Sequence, residues 1–277
     1  MNESEIEENV KRYWGNIPKI EDSLEAEIKY LEGLKVAVRG NTVRKYDDEI
    51  IGKYMSFYHH EEIRETPKFM DFIYSTRLYE DISPRTSSQY KESLEILIKY
   101  WNDKNDLSIL DLGCGVGKIT IGLALLLDNI KYIYAVDRSI PAIDVFKENK
   151  AKLNYTNYRT TQDKVKILNK DYTSLEFLKK AKQHIKNRLN TVLMLFPQYN
   201  EMEILKLMKT YKAEGIISVN SELIISTAQK LGNLTAEQIS GSFQLEIQEY
   251  VSNQGYSYDM IDYKAVNKSV LMVGRIM

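Results

Sequence analysis

The chain has 277 residues, 43% apolar and 28% charged, which is room for one large domain or for a core with an added lobe. Its 38 Lys and Arg balance 39 Asp and Glu, which argues against the broad basic face of a protein that grips a phosphate backbone. The lone Cys114 excludes an internal disulfide and a cysteine-based zinc cluster, and the longest apolar run, 119–127, is too short to cross a bilayer.

Met1-Asn2-Glu3-Ser4-Glu5 lacks the basic-then-apolar order of a secretory signal, so a cytoplasmic location without a membrane partner is expected. The chain to about Asp81 reads as helical. Ile20, Leu24, Ile28, Leu31 and Leu34 share one stripe, with Asp22 or Ser23 placed to cap its start. A second helix follows Asp47-Asp48, turning Ile51, Tyr54, Met55 and Tyr58 inward. Thr66-Pro67 supplies the N-cap and first position of a third, which carries Phe69, Phe72 and Ile73. Ser83-Pro84-Arg85 breaks the chain, and Ser87 or Ser88 opens a helix to Trp101. These helices read as a cap leaning on another body.

From Leu107 strands and helices alternate. Apolar runs at Leu107–Leu110, Tyr132–Val136, Val165–Leu168, Val192–Phe196 and Ile216–Val219 are separated by helical stretches such as Ile119–Leu127, Pro141–Lys152 and Glu201–Tyr211. Buried parallel strands joined by crossover helices give this rhythm. The tail holds a helix at Phe243–Ser252 and then two strands, Tyr256–Tyr263 and Ser269–Ile276, close enough that they must pair antiparallel. The expected fold is α/β: a Rossmann-like, doubly wound sheet of five parallel strands plus a C-terminal antiparallel hairpin, with an N-terminal helical cap. Residues 1–85 form the expected cap over an acceptor site, and 86–277 the ligand-binding core.

The strongest motif is Asp111-Leu112-Gly113-Cys114-Gly115-Val116-Gly117-Lys118, between the first strand and first helix of the alternating region. Its glycines let the backbone turn sharply and approach a ligand, and the loop feeds a helix N-terminus. A dinucleotide fingerprint wants its third glycine where Lys118 stands. Asp111 would also repel a pyrophosphate while attracting an ammonium or sulfonium group. Downstream, Asp137 ends the second strand, where a carboxylate can accept both ribose hydroxyls. Asp171-Tyr172 follows the third strand, with Asp171 placed to accept from an adenine amino group and Tyr172 or Ile140 against the ring face. Plainer readings stand beside these: Asp137 as the cap of the next helix, and Asp171 as the cap of a turn.

Asp111–Gly117, Asp137 and Asp171 resemble the first three motifs of the class I S-adenosylmethionine-dependent methyltransferases, over Thr86 to Met277. The resemblance implies a seven-stranded sheet that binds S-adenosylmethionine and releases S-adenosylhomocysteine; no metal is expected, because no recurrent His, Asp or Glu spacing suggests one. The residues it implies around the cofactor are Asp111, Gly113, Cys114, Gly115, Gly117, Asp137, Arg138, Asp171, Tyr172 and Phe196. Residues before Thr86 fall outside it; in this family such extensions often cover the acceptor.

The fourth strand runs into Phe196-Pro197-Gln198-Tyr199, a distant likeness of the Asn/Asp-Pro-Pro-Tyr motif of amino-group methyltransferases, with Phe at the position that would hold the amine. Methyl transfer needs positioning and desolvation, and a general base only if the nucleophile arrives protonated. Candidate catalytic groups are His59, His60 and Tyr199. His184 reads as solvated, and Arg85 is placed to meet the cofactor carboxylate. Tyrosine, with 20 copies, suits a pocket apolar in body and polar at its tips, although a biased gene composition explains the number more simply. The first expectation is methyl transfer to oxygen or nitrogen of a small molecule. A peptide side chain ranks second as acceptor and nucleic acid third. A non-catalytic cofactor-binding regulator is the rival from another class, and Lys118 and Asp111 disfavour a nicotinamide oxidoreductase.

Overall fold

The computed structural model describes residues 1–21, 23–60, 63, 66–81, 84–172, 174, 177, 189–195, 206, 209–210, 217–228, 234–253, 258–266 and 269–276. Helix α1 (Glu3–Trp14) opens with a capping box: the Asn2 side chain accepts from the Glu5 N–H at 3.0 Å, and the Glu5 carboxylate accepts from the Asn2 N–H at 2.8 Å. Helix α2 (Leu24–Gly33) is N-capped by Ser23, one of the two residues expected there.

A hairpin then departs from the all-helical expectation. Strands β1 (Lys35–Val38) and β2 (Asn41–Arg44) pair antiparallel around Arg39 (φ 49°) and Gly40 (φ 85°). Two consecutive positive φ values give the mirror-image turn that matches strand twist. All eight strand residues are exposed, so the hairpin has no buried face and leaves no apolar periodicity to detect. Its one signal is local: β-branched residues flanking Arg39-Gly40-Asn41.

Helix α3 (Asp48–His59) is capped by Asp47, and α4 (Pro67–Ser75) by Thr66 with Pro67 in its first turn, as expected. The short α5 (Leu78–Asp81) leads to α6 (Pro84–Trp101), which starts earlier than Ser87. Proline suits that first turn because the N–H it lacks has no helical partner there. Helices α2 to α5 share a small core around Leu31, Tyr46, Ile51, Tyr54, Phe69, Ile73 and Leu78. Helix α1 packs elsewhere: Ile6 and Val10 join Leu94, Leu97 and Trp101 in the large core beside the sheet.

The alternating region holds β3 (Leu107–Leu112), α7 (Lys118–Leu126), β4 (Ile130–Asp137), α8 (Ile140–Ala151), α9 (Tyr155–Lys164), β5 (Val165–Asn169), β6 (Leu189–Met194) and β7 (Ile217–Ala228). Then come α10 (Ala236–Ser252), β8 (Tyr258–Val266) and β9 (Ser269–Ile276). The seven strands lie in the order β5-β4-β3-β6-β7-β9-β8, with β9 antiparallel to both neighbours and the rest of the ladder parallel. The Rossmann-like sheet with its closing hairpin is therefore present. Helix α9 was not expected: among its ten residues only Thr161 is buried, so it carries no apolar stripe. Strand β7 runs well beyond Val219, and the helix expected over Glu201–Tyr211 lies mostly outside the described residues.

Strand β3 is buried along its whole length and splits by parity. Leu110 and Leu112 enter one face cluster with Val192 and Met194, while Leu107 and Ile109 enter the other with α1, α6 and α7. The chain winds outward from β3 through β4 to β5, then returns to β6 on the other side of β3. At such a reversal the crevice beyond the strand ends is open to a ligand.

Candidate cofactor and active site

The glycine loop is pinned to the end of β4. The Gly113 and Cys114 N–H groups both donate to the Val136 carbonyl, at 2.8 and 3.1 Å. At Gly117 two constraints coincide: φ is 76°, and a Cβ would lie 2.3 Å from the Phe146 ring of α8. At Gly115 (φ 53°) a Cβ would meet the Tyr74 hydroxyl at 3.3 Å, so helix α4 reaches down onto the bare backbone.

Asp137 straps this loop to the next helix. Its Oδ2 accepts from the Gly115 N–H at 2.9 Å and its Oδ1 from the Ser139 N–H at 2.8 Å. The helix-cap reading of Asp137 is not what the geometry shows, since the cap of α8 is Ser139, whose hydroxyl accepts from the Ala142 N–H. Each Asp137 oxygen accepts one such bond and keeps further acceptor capacity, at the edge of a cavity the residue lines. Burial raises its carboxyl above the usual range, while the two backbone donors oppose the shift.

Asp111 is 4% exposed and accepts from the Thr120 hydroxyl at 2.5 Å. Burial lifts its carboxyl to about 7, with the Thr120 bond opposing and the charge of Asp137 adding. Burial likewise pushes the Cys114 thiol well above its usual value, which favours the protonated form.

The cavity measures about 570 Å³, within the range of small-molecule sites. Asp111, Gly113, Cys114, Gly115, Gly117, Asp137, Arg138, Asp171 and Tyr172 all line it, so the three strand ends meet at one cavity. Phe196 and Tyr199 lie outside the described residues, as do His184 and the side chain of Arg85. His59 and His60 are exposed at the end of α3 and are not among the cavity-lining residues. Ile140 is 62% exposed, whereas Tyr172 is buried against the loop.

The opposite wall was missed. Met70, Asp71 and Tyr74 of α4, Tyr79 of α5 and Tyr90 of α6 face the glycine loop, with Trp14 at the side. The Tyr74 and Tyr79 rings are 4.8 Å apart, and the Tyr79 hydroxyl donates to that of Tyr90 at 2.8 Å. Burial drives the Tyr90 phenol up to about 12 and those of Tyr74 and Tyr79 well above the usual value, so all three stay protonated. Asp71 accepts from the Ser139 hydroxyl at 2.6 Å, joining α4 to the start of α8. The tyrosine count was the only forewarning, because nothing local says which of 20 tyrosines converge.

A family of methyltransferase domains matches residues 103–254, more than half of the chain. The chain belongs to that family. Among curated relatives, the ubiquinone biosynthesis O-methyltransferase of Rickettsia canadensis (strain McKiel) is 30% identical over 149 residues, 53% of this chain and 56% of that protein. The same-named protein of Rickettsia bellii (strain OSU 85-389) is 29% identical over 149 residues, 53% of this chain and 55% of the other. The match spans about half the length of these relatives. In shape the chain is similar to magnesium protoporphyrin IX methyltransferase from Synechocystis PCC 6803, solved with bound S-adenosylmethionine. That likeness has a TM-score of 0.51 and 15% identity, covering 79% of this chain and 95% of that one. With bound S-adenosylhomocysteine the values are 0.51 and 16%, over 80% and 99%. The fold is thus that of a class I methyltransferase domain, the type that uses S-adenosylmethionine.

The residues present fit that cofactor. Each Asp137 oxygen keeps acceptor capacity at the cavity edge, which suits a diol, and Asp111 is a buried carboxyl whose ionised form a cationic group would favour. The cavity carries four aspartates against Lys118 and Arg138 among its described lining residues, which favours a cationic ligand. Among the described residues no group of three His, Cys, Asp or Glu is arranged for a metal, and no helix is long and apolar enough to cross a membrane.

Proposed function

We propose that this methyltransferase domain moves the methyl group of S-adenosylmethionine onto an oxygen or nitrogen of a small-molecule acceptor, with residues 24–81 as lid over the acceptor. The observation that carries this reading is the Asp137 carboxylate, fixed by the Gly115 and Ser139 N–H groups with its remaining lone pairs at the cavity edge. The cofactor supplies an electrophilic methyl on a sulfonium. Asp111 holds a negative charge beside it, Asp137 orients the nucleoside, and Asp171 with Tyr172 borders the base. Tyr74, Tyr79 and Tyr90 exclude water and present flat apolar surface, with the Tyr79 hydroxyl already donating to that of Tyr90. The names of the relatives, ubiquinone biosynthesis O-methyltransferases, support a small organic acceptor, with oxygen favoured. In-line displacement asks only that the acceptor be oriented and dry, so no base from this wall is required for a neutral amine or an ionised oxygen.

Calorimetric titration with S-adenosylmethionine and S-adenosylhomocysteine, beside Asp137→Ala and a reduced nicotinamide dinucleotide, tests the reading. Binding of either adenosyl ligand that is lost in the variant is expected. No binding by folded protein stripped of endogenous ligand, or preference for the dinucleotide, overturns it.

A further inference from the structure

Lys118 opens α7 at the rim of the cavity, and two features of its surroundings are unusual for a lysine. Its ammonium lies over the Trp14 ring, 5.4 Å from the centroid, and it has no ion pair or hydrogen bond from that ammonium among the described residues. The nearby acids are already engaged: Asp81 pairs with Lys45 and accepts from Tyr46, and Glu80 lies 3.9 Å from Arg77. Burial also holds its ammonium below the usual lysine range. Glu80 and Asp81 still attract the ammonium from a distance, but burial outweighs them, so a half-buried ammonium with no direct ion pair among the described residues gains from an incoming anion.

The two cations among the described residues that line the cavity sit at different places in the motif. Arg138 follows Asp137 at the end of β4, at the nucleoside side, whereas Lys118 follows the last glycine, two residues before the Thr120 that bonds Asp111. The Asp111 end therefore presents one acid and one base to the same ligand space. The first helical turn adds N–H groups that favour negative charge beside Lys118. We infer that Lys118 is the carboxylate receptor of this cavity, its ammonium pairing with a carboxylate that enters beside Trp14. Resting on the proposed function, that carboxylate belongs either to the methionyl end of the cofactor or to an acidic acceptor.

The test uses the full chain with Lys118→Met, which keeps the aliphatic stem against Trp14, and Lys118→Arg, which restores the charge. Four probes are titrated by calorimetry and Trp emission: S-adenosylhomocysteine, 5′-methylthioadenosine (which lacks the amino-acid group), benzoate and benzyl alcohol. If the carboxylate is the cofactor's, Lys118→Met weakens S-adenosylhomocysteine about tenfold or more and leaves methylthioadenosine unchanged. If it is the acceptor's, Lys118→Met instead abolishes benzoate binding, benzyl alcohol is indifferent, and S-adenosylhomocysteine is unaffected. In either case Lys118→Arg recovers most of the loss. The inference is overturned if Lys118→Met changes neither carboxylate ligand, if it weakens both adenosyl ligands equally, or if the native chain binds none of the four. Failure of the native chain to bind either adenosyl ligand sinks the cofactor reading separately, while the benzoate arm still decides the role of Lys118.

Discussion

The glycine loop of the core and the hairpin of the lid both turn on glycines with positive φ, but packing treats them oppositely. At Gly117 an added Cβ would lie 2.3 Å from the Phe146 ring, whereas at Gly40 it would meet nothing within 4 Å. One turn is fixed by backbone conformation and by close approach together, the other by conformation alone. The contrast extends to how each region is held. The loop is tied down by backbone bonds to Val136 and by the Asp137 strap. The lid reaches the core through side chains: Asp71 to Ser139, Arg77 to Glu148, and Tyr79 to Tyr90. The loop that lines the cavity is thus the stiff part, and the helices opposite it can be loosened one side chain at a time.

Four outcomes break or sharpen this comparison. The largest is steric: Gly117→Ala is expected to lose about 4 kcal/mol or more in urea unfolding, from left-handed strain plus overpacking. Gly40→Ala, with strain alone, loses about 1 kcal/mol. Similar losses at both sites would erase the distinction.

The second outcome concerns the buried charge. Asp111 titrates at about 7 in the folded chain against 3.8 when unfolded, so the native state holds the extra proton between those values. Its ionisation then lowers stability as pH rises from near 4 to near 7, and the loss is complete above 7. Asp111→Asn removes that dependence. It is expected to exceed the native chain in stability by about 3 kcal/mol at pH 8, with the gap closing near pH 4. In the native chain, affinity for S-adenosylhomocysteine is expected to rise as pH passes about 7, because the ligand's ammonium favours the ionised acid. A gap independent of pH would show that Asp111 ionises normally.

Third, Asp137→Ala is expected to weaken S-adenosylhomocysteine about 100-fold by calorimetry, through loss of charge-assisted bonds and of the loop strap. The smallest effect belongs to the lid. Asp71→Ala removes one side-chain link, so amides of α4 are expected to exchange faster by about 1 kcal/mol of opening free energy while those of α7 stay protected. Faster exchange in both helices would mean that lid and core open as one unit.

Much of the sheet was legible because its central strands β3 and β6 are buried almost throughout and leave continuous apolar runs between turn signals. The caps Ser23, Asp47 and Thr66 were legible because capping is local chemistry between residues three apart. The exposed hairpin and α9 were not, since neither carries a strong buried stripe. The site divides in the same way. Asp111, Asp137 and the glycines stand at strand ends that chain order alone identifies. Asp71, Tyr74, Tyr79 and Tyr90 come from helices whose packing brings them opposite, and the links to Ser139 and to the glycine loop span many residues.

By itself, then, the sequence determined the alternating fold, the glycine loop with its flanking acids, and the family these imply. Such features depend on neighbours within a turn or on burial that repeats with a regular period. Only the tertiary structure decided that Asp137 straps the loop rather than caps a helix, that three tyrosines roof the cavity, and that Lys118 stands there over Trp14. Those depend on contacts between residues far apart in the chain, and no local pattern encodes them.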